Sequence, residues 1–267
     1  MSDFDDDASD LEESPFFVQS LAKGLSVITA MGTQHSQVSL ADVARATSLT
    51  RATARRLVLT LERLGYVRGT DGLYSLTPKV LELGFSFLGS TSIPEAAQPH
   101  LEALSRSVGE STSASLLDGT DIVYVARVSA RRTVSLSIDI GTRLPAYATA
   151  MGRVLLAALP DRELNEMLAG LTLRQLTERT IRSKDALHAE IDRVREQGWA
   201  MVDQEALEIG LLSIAAPVSR AGRVVAAINI SSSANRVAAV DLVAEFRAPL
   251  LATARAVSAE LEHRDLR

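Results

Sequence analysis

The chain has no cysteine. That excludes a disulfide framework, thiolate zinc sites and a cysteine nucleophile, and it fits a reducing compartment such as the cytosol. Long hydrophobic runs are also missing. The longest, such as Val154–Leu159 and Val224–Ile228, fall far short of the roughly 18–20 residues that a membrane span needs. Residues 1–15 lack any base, so the N-terminus is read as neither a secretory signal nor a transit peptide. A soluble cytoplasmic protein without a membrane partner is expected.

Catalytic motifs are scarce as well. There is no GxSxG elbow, no P-loop, no GxGxxG and no HExxH. The four histidines, His35, His100, His188 and His263, are scattered without paired spacing. Asp203, Glu205 and Glu208 in "VDQEALE" lie close enough to suggest a metal site or an acid/base pair, but they fall at a strand exit with no histidine nearby. Neither an enzyme, a cofactor nor a metal is expected.

What is present is a chain of 267 residues, 46% apolar, enough for one or two domains. Its net charge of −5 hides an asymmetry. Residues 1–15 carry seven acids (Asp3, Asp5, Asp6, Asp7, Asp10, Glu12 and Glu13), residues 16–88 are net +4, and the remainder is net −2. A basic module thus sits between an acidic tail, expected to be disordered, and a nearly neutral body.

Within the basic module, Val18, Leu21, Leu25 and Ile28 recur at three- or four-residue steps from Phe17 onward and predict a helix stopped by Gly32. The stretch "SLADVARATSLTRATARRLVLTLERLGYV" follows. Ser39 reads as the N-cap of a short helix with Leu40, Val43 and Ala44 on one face. "TSL" makes a turn. Thr50 caps a longer helix in which Ala54, Leu57, Leu61 and Leu64 share a face and Gly65 ends it. A β-hairpin is predicted next, with Tyr66–Val67 and Leu73–Leu76 bracketing Gly69, Asp71 and Gly72. A helix from Pro78 reaches Gly89.

Two helices joined by a tight turn and followed by a hairpin make a winged helix-turn-helix, whose second helix enters the major groove. The spacing leaves Arg51, Ala52, Arg55 and Arg56 on one exposed side, with Thr53 at its edge and Arg63 and Arg68 toward the hairpin. Arginine donates bidentately to guanine and to phosphates. A solvated arginine-bearing face is the plainer reading; the two-helix spacing, the wing and the oppositely charged flank weigh against it. The DNA-contacting set expected here is Ser39, Ser48, Thr50, Arg51, Ala52, Thr53, Arg55, Arg56 and Arg68.

The second half mixes helix and strand. Helices are predicted over Ile93–Val108, Ser183–Gln197 (on Leu187, Ile191 and Val194) and Val237–Glu262. "TSASLLDGTDIVYVARV" reads as two strands around Asp118-Gly119, "TVSLSIDI" as a third, and "LPAYATAMGRVLLAALP" as a loop that becomes a helix. "WAMVD", "LLSIAAPV" and "RVVAAINIS" are further strands, the last two joined by "SRAG". Helices on a mostly antiparallel sheet make this an α+β arrangement.

At these residues the sequence resembles the IclR family of bacterial regulators. "FFVQSLAKGLSVITAM", the helix-turn-helix stretch, "YSLTPKVLELG", "GTRLPAYATAMGRVLLA" and "VDQEALEIGLLSIAAPVSRAGRVVAAINIS" carry the likeness, over about residues 16–262. "FVQSLAKGL", "LDGTDIVYVARV" and "RLPAYATAMGRVLLA" are most similar to the subgroup that controls protocatechuate and 4-hydroxybenzoate catabolism through the β-ketoadipate pathway. Beyond the acidic tail over 1–15, whose composition predicts disorder, the resemblance implies a winged helix-turn-helix over 16–77, a linker helix over 78–91 and a GAF-like effector-binding domain over 92–267. It implies a homodimer or tetramer on double-stranded operator DNA, with RNA polymerase as a further candidate partner. The effector is a small organic acid: protocatechuate, 4-hydroxybenzoate or β-ketoadipate. One position departs from the family pattern: the turn usually reads "AGL" or "TGL", whereas this chain has Ser48 in place of the glycine.

The effector contacts implied by the family motifs are Leu136, Leu144, Tyr147, Ala150, Met151, Asp203, Ser213, Asn229 and Ser231. Arg143 is a candidate partner for an effector carboxylate or, equally, a surface residue. For Met151 and Leu136, plain core is the competing role. Three functions stay in play: an effector-responsive transcription factor of this or another carbon-source pathway, a small-molecule enzyme with an accessory helix-turn-helix, and a module whose N-terminal helices serve only protein association.

Overall fold

Local chemistry sets the helix boundaries of the N-terminal part. Ser39 precedes α2 (Leu40–Ala46) as a reciprocal cap: its Oγ accepts from the Asp42 N–H at 3.3 Å, while the Asp42 carboxylate accepts from the Ser39 N–H at 3.1 Å and hydroxyl at 2.6 Å. These bonds, first the hydroxyl and then the backbone N–H, hold the Asp42 carboxyl below its ordinary pKa. Thr50 caps α3 (Arg51–Arg63) by accepting from the Thr53 N–H at 3.2 Å. Between the helices Ser48 sits at φ +54°, the left-handed conformation for which glycine is usually chosen. The Leu49 N–H donates back to the Ala44 carbonyl at 3.0 Å and closes the turn.

The computed structural model of the chain describes residues 16–32, 37–84, 92–130, 138–205, 210–236 and 238–265. It divides into two compact units, Met1–Gly89 and Ser90–Arg267. The acidic tail and residues 85–91 of the expected linker helix lie outside the described residues. Pro78–Val80 forms a single 3-10 turn, and residues 81–84 are helical.

In the first unit, α1 (Gln19–Gly32), α2 and α3 enclose a core of Val27, Met31, Val43, Ala44, Ala54, Val58, Leu61 and Val67. Two expected faces differ from this. Val18, Leu21 and Leu25 are 59%, 62% and 51% exposed. Only the C-terminal half of α1 supplies buried positions to this core. On α3 the inner stripe is Ala54, Val58 and Leu61, and Leu64 is exposed because it stands at the C-cap, where the chain leaves the helix through Gly65 at φ +83°.

The wing comprises β2 (Val67–Thr70) and β3 (Leu73–Leu76), antiparallel, with Thr70 opposite Leu73. Asp71 and Gly72 have φ of +52° and +78°, as a two-residue type I′ turn requires. A two-residue strand, β1 (Val38–Ser39), too short to show a sequence period, joins the other edge of β3. The wing is tied to α3 by Glu62, which accepts the Gly69 N–H at 3.0 Å; a Cβ on Gly69 would meet that same carboxylate at 2.8 Å.

Among the described residues, the second unit is built on one six-stranded antiparallel sheet in the order β6-β5-β4-β9-β8-β7. Its strands are β4 (Ser111–Asp118), β5 (Asp121–Val128), β6 (Arg143–Pro145), β7 (Ala200–Asp203), β8 (Leu211–Arg220) and β9 (Arg223–Ser233). Side-chain alternation separates its two faces. Thr112 donates to the Leu101 carbonyl of α4 (Ile93–Val108) at 2.9 Å, and α8 (Ala239–Asp265) packs beside α4. Ser115 points the other way and donates to Met151 Sδ of α5 (Ala150–Ala157) at 3.3 Å, on the face shared with α6 (Asp161–Gly170) and α7 (Lys184–Gln197). With both faces covered, β4, β8 and β9 are buried over long stretches; β8 and β9 accordingly run largely apolar rather than alternate, whereas the buried part of β4, Ser111–Ser115, is rich in hydroxyls.

Of the predicted strand "TVSLSIDI", residues 138–140 are not strand and residues 133–137 lie outside the described residues. Among the described residues the edge position is taken by β6, with Leu144 opposite Ile122. Helix α6 was not anticipated in the sequence. Helix α7 buries Leu187, Ile191 and Val194 and ends at Gly198, φ +78°.

Ser48 gives a direct test of the turn. A left-handed non-glycine residue costs about 1–2 kcal/mol, of which glycine's larger unfolded-state entropy cancels about half. Ser48→Gly is expected to stabilise the chain by about 0.5–1 kcal/mol in urea unfolding. A midpoint that falls instead would mean that the serine hydroxyl contributes more than its backbone strain costs.

Candidate functional site

Two places in the fold carry chemistry. The first is the outer face of α3. Arg51, Ala52, Arg55 and Arg56 are exposed there, and Thr53 is half-buried with its hydroxyl 2.9 Å from that of Thr50. Arg63 at the helix end and Arg68 on the wing are also exposed. None of these five arginines makes an ion pair among the described residues, whereas Arg45 on α2 is engaged by Asp42 at 3.2 Å. The first turn of α3 holds no acid, and Glu62 is spent on the wing. The surface is therefore a set of free guanidinium groups on a helix of about 20 Å, suited to phosphates and guanine edges. Ser39 and Thr50 differ from the rest of the expected set: their hydroxyls are occupied as helix caps. Ser48 sits exposed in the turn.

The second place is a pocket of about 430 Å³, including its open mouth, between the start of α5 and the sheet. Its wall is Tyr124, Ile138, Leu144, Thr149, Ala150, Met151, Val202, Leu211, Ser213, Asn229 and Ser231. Ser213 and Ser231 are directly opposite on β8 and β9, and Asn229 donates from Nδ2 to Ser213 Oγ at 2.9 Å. Asn229 Oδ1 is buried without a partner. Thr149 caps α5 by accepting the Gly152 N–H at 3.0 Å, which presents the positive end of that helix to the pocket. Gly152 allows this approach, since a Cβ there would lie 2.1 Å from the Ala146 carbonyl oxygen.

Of the effector residues expected from the sequence, Leu144, Ala150, Met151, Ser213, Asn229 and Ser231 come together in this wall. Three others do not line it. Arg143 is turned outward and held by Asp118 at 2.5 Å and Asp121 at 3.3 Å, which drives its pKa further up. Tyr147 is buried one turn before α5, but its hydroxyl donates to the Arg174 carbonyl at 2.8 Å; burial raises its phenol pKa. Asp203 pairs with Arg179 and accepts from Gln204 Nε2 at 2.9 Å. Leu136 lies outside the described residues. Leu211 shares the face of Ser213 on β8 and could have been found by period-two counting; Val202 lies on the opposite face of β7 from Asp203 and comes beside Ser213 only through strand pairing. Tyr124 and Ile138 carried no such signal.

The acids of "VDQEALE" also find employment. Glu205 pairs with Arg153, a side chain of α5 that is 2% exposed; Arg153 also reaches Glu190 at 3.5 Å and donates from Nε to the Tyr147 carbonyl at 3.0 Å. Glu208 lies outside the described residues. Among those residues, no helix is long and apolar enough to cross a membrane.

Comparison with known proteins agrees with both halves of this arrangement. Residues 20–71 match the IclR helix-turn-helix domain, and residues 85–259 match the bacterial transcriptional regulator IclR C-terminal domain. The chain is 43% identical over 243 residues to the Pca regulon regulatory protein of Pseudomonas putida, covering 90% of this chain and 83% of that one. A crystal structure of a transcriptional regulator from Rhodococcus sp. RHA1 is 54% identical, with a TM-score of 0.82 over 94% of this chain and 100% of that one. The inducer-binding domain of a double mutant of the Acinetobacter PobR transcription factor, in complex with 3-hydroxybenzoic acid, is 32% identical, with a TM-score of 0.58 over 62% of this chain and 97% of that one. A helix-turn-helix unit, a separate unit with a pocket, and relatives named as regulators rather than enzymes lead to one assignment: the chain belongs to the IclR family of transcriptional regulators.

Proposed function

We propose that this regulator senses a small aromatic acid, or the β-ketoadipate made from one, and changes its hold on operator DNA or its contact with RNA polymerase in response. The observation that carries this reading is the pocket wall: apolar side chains, three polar groups on adjacent strands and a helix start. The likeness to a protocatechuate-type regulon protein and to a domain bound to 3-hydroxybenzoic acid supports the chemical class. An IclR-type regulator of another carbon source is the second reading. The enzyme and association-only readings lose their support with the family assignment.

In a thermal-shift panel, 4-hydroxybenzoate, protocatechuate or β-ketoadipate at a hundred times its Kd should add about 2.7 kcal/mol, or about 5–10 °C in a unit of this size. Silence toward all three, with a shift from an aliphatic sugar acid, would favour the second reading.

On the DNA side, Arg51, Ala52, Thr53, Arg55 and Arg56 form the proposed groove face, with Arg68 reaching the backbone from the wing. Arg55→Ala should weaken operator binding by about 1–3 kcal/mol if it reads a base, whereas Arg68→Ala should lower affinity across sequences and reduce the salt slope by about one. Fluorescence anisotropy over a salt series measures both. Equal affinity of Arg55→Ala and the parent at every salt concentration removes Arg55 from the interface.

Pairing of two such units on successive half-sites needs a dimer contact. The exposed stripe of Phe16, Val18, Leu21 and Leu25 on and before α1 is the surface we assign to a second copy of the chain. Leu25→Glu should shift the mass in light scattering toward the monomer. If mass and operator affinity both stay unchanged, the pairing surface lies elsewhere.

A further inference from the structure

Among the described residues, the pocket wall holds no charged side chain, although the ligand proposed for it is an acid. A carboxylate removed from water needs a matching cation or a set of N–H donors. Three arginines near the pocket are already committed: Arg143 to Asp118 and Asp121, Arg153 to Glu205 and Glu190, and Arg179 to Asp203.

Arg127 is different. It lies on β5 directly opposite Ser113 of β4, and Ser113 lies directly opposite Asn229 of β9. Arg127, Ser113 and Asn229 therefore form one row across three strands, on the face that carries the pocket. Arg127 Nη1 donates to Ser113 Oγ at 3.3 Å. Its Nε is buried and has no partner, and it makes no ion pair among the described residues. Its charge is felt by Tyr124 of the pocket wall: burial pushes that phenol up to about 12, and the guanidinium pulls it the other way. At the far end of the row Asn229, 4% exposed, leaves Oδ1 unpaired. Unsatisfied buried polar groups are rare in a native fold. Here a donor and an acceptor stand on either side of one serine, beside a pocket.

We infer that Arg127 is the counter-charge for an anionic effector, placing its guanidinium against the ligand carboxylate at the edge of the wall between Tyr124 and Asn229. The row then offers a cationic donor and a neutral acceptor, which suits a hydroxy acid. This rests on the acid-sensing reading of the pocket and adds to it the residue that selects charge. Discrimination comes from the difference between a paired and an unpaired buried charge, so an uncharged ligand of the same shape should not feel the loss of Arg127.

The test is calorimetric binding of 4-hydroxybenzoate, protocatechuate and the uncharged isostere 4-hydroxybenzamide to the full-length parent, Arg127→Gln, Arg127→Met and Arg127→Lys. The parent should prefer the acids to the amide. Both neutral variants should lose acid affinity by about tenfold or more while keeping amide affinity, and Arg127→Lys should retain most of the preference. Thermal unfolding of the free variants, with the amide titration, reports an intact pocket; should one neutral variant not fold, the other and the lysine variant still carry the comparison. An unchanged acid-to-amide ratio in the neutral variants overturns the role of Arg127 and leaves acid sensing standing. If the parent binds neither the acids nor the amide, the aromatic-acid reading fails, and the role given to Arg127 fails with it.

Discussion

A guanidinium buried among apolar side chains has to be matched by carboxylates, and Arg153 imposes that requirement on the whole effector-binding unit. Its side chain is 2% exposed, on the helix whose first turn faces the pocket. Satisfying it draws in Glu205 from beyond β7, Glu190 from α7 and the Tyr147 carbonyl from the turn before α5. Removing one partner of such a buried pair costs about 3–5 kcal/mol, so these segments hold their positions together. Thr177 and Thr180 extend the network by donating to the carbonyls of Gln204 and Glu205 at 2.7 Å each. The end of α5 is fastened in a similar way: Arg195 donates to the Ala157 and Leu159 carbonyls at 2.9 Å and pairs with Asp161. The pocket is thus framed by polar ties around a helix whose remaining contacts are apolar.

The N-terminal unit solves a different problem with fewer ties. Its α3 keeps an apolar stripe inside and leaves arginines outside without internal partners, so their charge is available to a polyanion. Local caps at Ser39 and Thr50, and the bond from Glu62 to the wing, orient that face. The division of labour between the units follows from their electrostatics: one keeps five guanidinium groups without ion pairs at the surface, the other holds Arg143, Arg153 and Arg179 near its pocket in ion pairs. Arg127 belongs to the exceptions, and its position beside the pocket is what makes it informative.

Much of the helix-turn-helix was legible in the sequence because its determinants are local. Caps, an Asp-Gly turn and a 3.6-residue stripe act within a few residues of each other. The misreadings arose where a pattern needed a partner. The stripe of Val18, Leu21 and Leu25 is real as a stripe, but periodicity does not say what covers it, and within the chain nothing described does. Leu64 continued the α3 stripe by count and was lost to the helix end. In the second unit the residues of "INIS" and "LLSIAAPV" reached the pocket because period-two alternation carries them to one face. Asp203, Tyr147 and Arg143 did not, because each polar group found a nearer partner in Arg179, the Arg174 carbonyl and Asp118.

By itself the sequence determined the two-unit plan, the second helix of the helix-turn-helix with its arginines, β4, β5, β7, β8 and β9 of the sheet and the family to which they belong, since each is written in local spacing or in a contiguous motif. Only the tertiary structure decided which polar side chains are free. Ion pairing joins residues far apart in the chain, as Arg153 and Glu205 or Arg143 and Asp118 do, and it spends charges that look available in one dimension. The same accounting leaves Arg127 and Asn229 unspent, on either side of Ser113, a relation that exists only once β5, β4 and β9 lie side by side.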